Sequence, residues 1–435
     1  MPTPALDSDS ALGPVTAGVP GKFPAARSGK HKALAKPGVA ETAAPSETFS
    51  FRLKPGEIAR HLDRFVIGQT EAKKVLSVAL CDHFQHVRLT LEGRDAPFYQ
   101  KQNVLLLGPT GVGKTHLIRS AAELIGVPFV KADATKFSET GYVGGDVDDL
   151  VRDLVRRAGG NVKKAAHGII YLDEVDKLAT REPGAGRDVS GRGVQTNLLK
   201  LMEDGDVPLV SPNDVTGQLQ AAMSAMRGGA PVAETINTRH ILFIVSGAFS
   251  GITEIIRRRL AQRPGPEARQ AKTVTPDTAS RDALLAQLTT PDLIAYGLEP
   301  EFVGRLPVRV ACHGLDTEDL FNVLRKSESS LIHQYERAFA AYGIRCEFRD
   351  DGLRRLAELA AAEATGARGL MTVCERVFRD FKFKLPSSRV KKFTVTARLV
   401  DAPALELKRL LSARQHAVNC VATGSPQTAP APSRS

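Results

Sequence analysis

The sequence predicts an α/β fold: a parallel sheet covered by helices on both faces, followed by a smaller α-rich part with a short sheet. Three observations predict it. Apolar runs of strand length (Val104-Leu-Leu-Leu107, Gly168-Ile-Ile-Tyr-Leu172, Ile241-Leu-Phe-Ile-Val245) alternate with helical patterns between about 100 and 312. Runs that are apolar throughout, rather than at every second residue, belong to sheets buried on both faces. The first run leads into Gly108-Pro-Thr-Gly-Val-Gly-Lys-Thr115 and then the amphipathic His116–Ile125, the order strand, glycine-rich turn, helix. From about 314 the period turns helical, through Leu320, Val323, Leu324, Leu331, Ile332 and Tyr335, and Phe393-Thr-Val-Thr-Ala-Arg-Leu399 alternates as a strand does.

Taken in order, residues 1–49 are rich in Pro, Ala, Ser, Thr and Gly and are expected to be disordered, as is the tail 413–435. The large part is placed at 50–313 and the small one at 314–412. With 435 residues and 42% hydrophobic content the chain can bury one or two cores. It has no apolar run of about 18 residues and hence no expected membrane span. Met1-Pro-Thr-Pro-Ala-Leu-Asp7 has neither a basic start nor an apolar stretch, so no secretory signal is expected. The five cysteines are scattered without a C-x-x-C, which argues against zinc and disulfides and suits a reducing cytoplasm. Net charge is +11, and 381–400 carries six cations and no acid. That run reads either as a solvated or subunit-facing surface or as a patch for nucleic acid; the lack of interleaved aromatics favours the first.

A helix is expected at Pro55–Leu62 and another from Thr70, with Thr70 as its N-cap. In the glycine-rich turn, Gly108, Gly111 and Gly113 let the main chain wrap a phosphate group closely, with Pro109, Thr110 and Val112 between them. Lys114 can reach β- and γ-phosphates, and Thr115 can offer its hydroxyl to Mg²⁺. Val127–Ala132 reads as a second strand and Asp146–Arg157 as a helix. Between them Thr140-Gly-Tyr-Val-Gly-Gly145 either presents Tyr142 and Val143 outward or is a hairpin tip whose tyrosine packs. The strand ending at Leu172 runs into Asp173-Glu174. In a phosphate-loop fold an acid there holds Mg²⁺, the role suited to Asp173, and a second polarises the attacking water, the role suited to Glu174. Ser246 ends the next strand.

Seven motifs in one order then carry a resemblance: Phe65-Val-Ile-Gly-Gln-Thr-Glu-Ala-Lys-Lys74, Gly108–Thr115, Gly141-Tyr-Val-Gly144, Tyr171-Leu-Asp-Glu-Val-Asp-Lys177, Arg187-Asp-Val-Ser-Gly-Arg-Gly-Val-Gln195, Pro300-Glu-Phe-Val-Gly-Arg-Leu-Pro307 and Gly366-Ala-Arg-Gly-Leu370. From about 54 to 410 the chain resembles the AAA+ protein unfoldases of the Clp/Hsp100 group, the ClpX branch above all. HslU unfoldases are similar over Ala134–Gly144, but they carry a large inserted domain for which Gly144 to Asp173 leaves no room. The resemblance implies an ATP hydrolase with Mg²⁺, working as a homo-hexameric ring on polypeptide substrates. It implies that Val66 and Ile67 pack on adenine, that Arg305 is an arginine finger reaching the neighbouring subunit's nucleotide, and that Arg368 is a sensor arginine. It also implies that Tyr142 and Val143 grip the threaded chain, that Arg187–Ser190 form a second pore loop, and that Ser246 lies near the first sensor position.

Three departures from the ClpX pattern stand out. The cysteine spacing leads us to expect no zinc-binding domain, 211–240 stands in place of the Arg-Lys-His pore-entrance loop, and Arg192 stands where an acid is usual. The stretch 257–284, where that branch carries an Ile-Gly-Phe-type peptidase-docking tripeptide, is basic and broken by proline. No partnership with a ClpP-type peptidase is therefore expected. A nucleic-acid motor is the rival reading, and a scaffold that only binds ATP is the third.

Overall fold

The computed structural model describes residues 49–94, 99–137, 145–179, 189–210, 235–262 and 278–422. Tyr142, Val143, most of the 211–240 segment, Arg187 and Asp188, and 263–277 lie outside them. Among the described residues no helix is long and apolar enough to cross a membrane.

Five strands form one parallel sheet in the order β2-β3-β6-β1-β7: β1 (Val104–Leu107), β2 (Phe129–Asp133), β3 (Ile169–Asp173), β6 (Leu242–Gly247) and β7 (Val308–Ala311). A separate antiparallel pair joins β4 (Asp206–Pro208) to β5 (Thr235–Asn237). Side chains alternate across a strand, so each all-apolar run feeds two cores. Leu105, Leu107, Ile170, Leu172, Phe243 and Val245 pack with α4 (Asp149–Arg157) and α6 (Val189–Met202). Val104, Leu106, Ile169, Tyr171, Leu242 and Ile244 pack with α1 (Pro55–Phe65), α2 (Thr70–Leu91) and α3 (Lys114–Ile125). A short helix, α5 (Val162–Ala165), leads into β3. Because the strands are parallel and in register, the C-terminal ends of β1, β3 and β6 lie side by side, where ligands bind in open α/β sheets.

The C-terminal part has its own core, with Phe321, Tyr335, Phe378 and Phe381 at its centre. Helices Thr317–Lys326, Leu331–Ala340, Asp350–Ala362 and Ala367–Lys384 surround a parallel pair, β8 (Arg345–Phe348) and β9 (Lys392–Val395).

Several expectations are corrected. Thr70 is the first helical residue and not the N-cap; the cap is Gln69, in the left-handed region at φ 56°. The reason is tertiary. Its amide clamps the main chain of His313, donating to the His313 carbonyl at 2.8 Å and accepting from the His313 N–H at 2.8 Å. Phe49, placed in the expected disordered segment, is packed: its ring lies 5.9 Å from Phe84 and 5.5 Å from His167. The last helix, Pro403–Ala422, runs ten residues into the expected disordered tail. Ser412–Ala422 contains neither glycine nor proline, so nothing stops the helix before Gly424. The strand expected through Leu399 ends at Val395, because Thr396 caps a short helix, Ala397–Asp401.

At least three of the six cations of the basic run are paired locally. Lys382 meets Glu375 at 3.4 Å and the Tyr335 ring at 4.1 Å, Lys392 meets Glu347 at 2.8 Å, and Arg398 meets Glu406 at 2.7 Å. Cations held by neighbouring carboxylates are less available to phosphates, which suits the solvated reading.

Candidate active site

β1 ends between β6 and β7, and the main chain turns at once. Gly108 lies at φ 148° and donates its N–H to the Gly247 carbonyl at 3.3 Å. A Cβ at this position would lie 2.5 Å from the Cys312 carbonyl oxygen. Gly111, at φ 76°, is tighter still: a Cβ there would lie 2.2 Å from the Thr365 carbonyl oxygen. The Gly111 carbonyl accepts the Ala367 N–H at 2.9 Å, so the first turn of the Ala367–Lys384 helix sits directly on the loop. A Cβ on Gly366 would lie 3.0 Å from the Thr110 carbonyl oxygen. Val112 is buried, and Gly113 abuts Val66, itself buried. The glycines are thus needed where two main chains meet, and the loop is a cradle that a side chain would fill.

Lys114 is buried in this cradle and donates to the carbonyls of Gly108 at 2.6 Å and Pro109 at 2.9 Å. Burial lowers its pKa, with Arg368 acting in the same direction and Cys312, Asp173 and Asp176 opposing. A buried ammonium whose hydrogen bonds go to neutral carbonyls gains a full charge partner when an anion enters.

Thr115 faces the end of β3. Its hydroxyl lies 3.3 Å from the Tyr171 hydroxyl and 3.4 Å from Asp173 Oδ2. Ser246 Oγ donates to Asp173 Oδ1 at 2.6 Å and lies 2.7 Å from the Tyr171 hydroxyl. Burial pushes the Asp173 carboxyl up, but the hydrogen bonds from Ser246 and Lys131 and the charge of Lys131 outweigh it, and the pKa falls below the ordinary value. Asp173 is therefore held as a carboxylate. Glu174 is exposed and takes the left-handed conformation at φ 61°, with its N–H on Asp173 Oδ1 at 3.1 Å. A non-glycine residue held there costs on the order of 1 kcal/mol or more, and such strain gathers at functional positions.

The structure brings Val66, Gly108–Thr115, Asp173 and Glu174 together, with the helix turn bearing Arg368 above them; Ile67 follows Val66 and is half-buried. The wall on the Val66 side is shared between the two parts. Ser327 Oγ donates to the Phe65 carbonyl at 2.8 Å, and His116 Nε2 lies 2.9 Å from Ser329 Oγ. Arg305 is placed elsewhere. Its carbonyl accepts from Asn103 at 3.1 Å, at the start of β1, and its guanidinium meets Glu203 at 2.5 Å. The length of β1, about 13 Å at ~3.3 Å per residue, separates it from its own phosphate loop.

The sequence reading missed Lys131, Tyr171, Gln69 and Ser327. Lys131 left a signal: a lone charge inside the apolar run Val127–Ala132, two residues from the end of β2 and opposite Tyr171. It reaches the Thr115–Asp173 pair, and it also lines a neighbouring hollow of about 340 Å³ with Arg119, Glu123, Phe129 and Arg157.

Residues 99–309 match the family described as AAA domain (Cdc48 subfamily). The ATP-dependent Clp protease ATP-binding subunit ClpX 3 of Methylococcus capsulatus is 39% identical over 363 residues, covering 81% of this chain and 81% of the relative. The ClpX subunits of Borrelia duttonii and Borrelia recurrentis are each 41% identical over 350 residues, covering 79% of this chain and 77% of theirs. The chain belongs to the ClpX family of AAA ATPases. The ClpX branch, rather than HslU, is thereby the right one. As a ClpX-family ATPase, the chain carries the glycine cradle and acidic strand end that ATP chemistry requires, at the aligned ends of β1, β3 and β6.

Proposed function

We propose that this chain is an ATP-driven protein unfoldase, working as a ring of identical subunits. The observation that carries the reading is the seating of the C-terminal part on the phosphate loop through Ala367 N–H and the Gly111 carbonyl. A nucleotide bound there touches both parts, so its arrival and loss move one against the other. Thr115 and Asp173 are hard oxygen donors 3.4 Å apart, and Asp173 is ionised, so they fit Mg²⁺. Bound there, the ion would neutralise charge on the β- and γ-phosphates. Lys114 holds the phosphates, Val66 and Ile67 flank the base, and Ser246 fixes the Asp173 carboxylate and is the first sensor. Glu174 orients and deprotonates the attacking water. Arg368 meets the phosphates from the C-terminal part.

Arg305 serves the neighbouring subunit's nucleotide, which its position at the far end of β1 supports. Mixing Arg305→Ala subunits with Lys114→Ala subunits is expected to restore ATPase activity to roughly a quarter or less of wild type, since only part of the shared sites is complete; an arginine finger is worth about 10³-fold or more in turnover. No recovery in rings shown to be mixed would refute the shared site.

Tyr142 and Val143 grip the threaded chain. The sequence 257–284 contains no apolar-Gly-aromatic tripeptide, and a few buried anchors dominate most interfaces. We therefore read the chain as a remodeller that acts without a ClpP-type peptidase, whatever the relatives' names attach to them. A folded fluorescent substrate incubated with ATP tests this. Its fluorescence should fall without degradation when a ClpP ring is added, and unfolded protein, not DNA, should stimulate hydrolysis. Stimulation by DNA alone, or degradation by the ClpP ring, would overturn the corresponding claim.

A further inference from the structure

Lys131 reaches the end of β3 from β2, the edge strand. Its ammonium lies 3.1 Å from Asp173 Oδ2 and 3.2 Å from Thr115 Oγ1, and those two oxygens are 3.4 Å apart. The three atoms make a nearly equilateral triangle. The two oxygens are those assigned above to Mg²⁺, and the inference rests on that reading. An ammonium at this point and a magnesium ion on the same pair oppose each other. They would compete for the same lone pairs, and the charges repel. The Lys131 side chain remains 36% exposed, so the ammonium can leave toward solvent when the metal enters.

We propose that Lys131 is a tethered cation that occupies the metal position between Thr115 and Asp173, and that it sets the Mg²⁺ concentration at which the site takes nucleotide. It is a positioning residue, not one that touches the reacting atoms. With no metal, it keeps the Thr115 hydroxyl and the Asp173 carboxylate together and cancels the negative charge that would repel phosphates. When Mg²⁺ enters, displacing Lys131 opposes binding. Removing the ammonium should therefore have opposite effects with and without metal, which a general loosening of the fold cannot produce.

The test is equilibrium binding of ATP to full-length Glu174→Gln protein, which does not turn the ligand over, with and without Lys131→Met. In EDTA the Lys131→Met protein should bind ATP about tenfold more weakly, whereas its half-saturating Mg²⁺ concentration should fall about tenfold, the scale of one close charge pair largely screened by water. Lys131→Arg should restore both values toward the parent. A direct Mn²⁺ titration followed by electron paramagnetic resonance should show the same shift in metal midpoint. An unchanged midpoint would overturn the proposal. So would weaker binding at saturating Mg²⁺ with the midpoint unmoved, which would put the ammonium on the phosphates. Failure of the parent protein to bind ATP at all would instead refute the nucleotide site itself.

Discussion

Glu174→Gln is expected to leave ATP binding within about twofold of wild type and to cut turnover by at least ~100-fold, the lower end of what a positioned general base contributes. That is close to 2.7 kcal/mol on the barrier. The substitution is isosteric. It keeps the left-handed main chain, since glutamine and glutamate meet the same steric cost there, and it keeps the N–H donated to Asp173. What it removes is the group that takes a proton from water. Phosphate binding depends on other elements, the β1 turn and the Thr115–Asp173 pair, so it survives. Single-turnover hydrolysis measured beside equilibrium binding separates the two terms. Turnover within tenfold of wild type would take the catalytic role away from Glu174.

Lys114→Ala should give the complementary result: ATP binding weakened roughly 150-fold, about 3 kcal/mol, with the fold intact. Truncating one member of a buried, hydrogen-bonded charge pair costs about 2–5 kcal/mol. The partner here is the incoming phosphate, because Lys114 is held meanwhile by the carbonyls of Gly108 and Pro109. Losing those two bonds is offset by no longer burying a charge, whose cost is visible in the lowered pKa. The melting temperature of the nucleotide-free protein should therefore move by only a few degrees, while nucleotide should stabilise the variant far less than wild type. A dissociation constant within threefold of wild type would refute the assignment.

The local part of the site was legible because its determinants are consecutive residues. A strand needs an apolar run, a cradle needs glycines where the main chain turns at positive φ, and a following helix needs an amphipathic face. All three stand in one stretch from Val104 to Ile125. The acidic end of β3 was legible for the same reason.

What the sequence by itself determined was therefore the glycine-rich turn, the acidic pair and the position of each apolar strand along the chain, since each follows from side-chain chemistry within one element. Only the tertiary structure decided which strand stands beside which. That placed Lys131 against Thr115 and Asp173, Ser246 against Asp173, and Gln69 against the His313 main chain. Parallel strands are joined through crossovers, so neighbours in the sheet are far apart in the chain, and no periodicity records their pairing. The physical reason is burial: the order β2-β3-β6-β1-β7 lets each all-apolar strand cover both faces with helices, and that choice brings a lone lysine on the edge strand to Thr115 and Asp173.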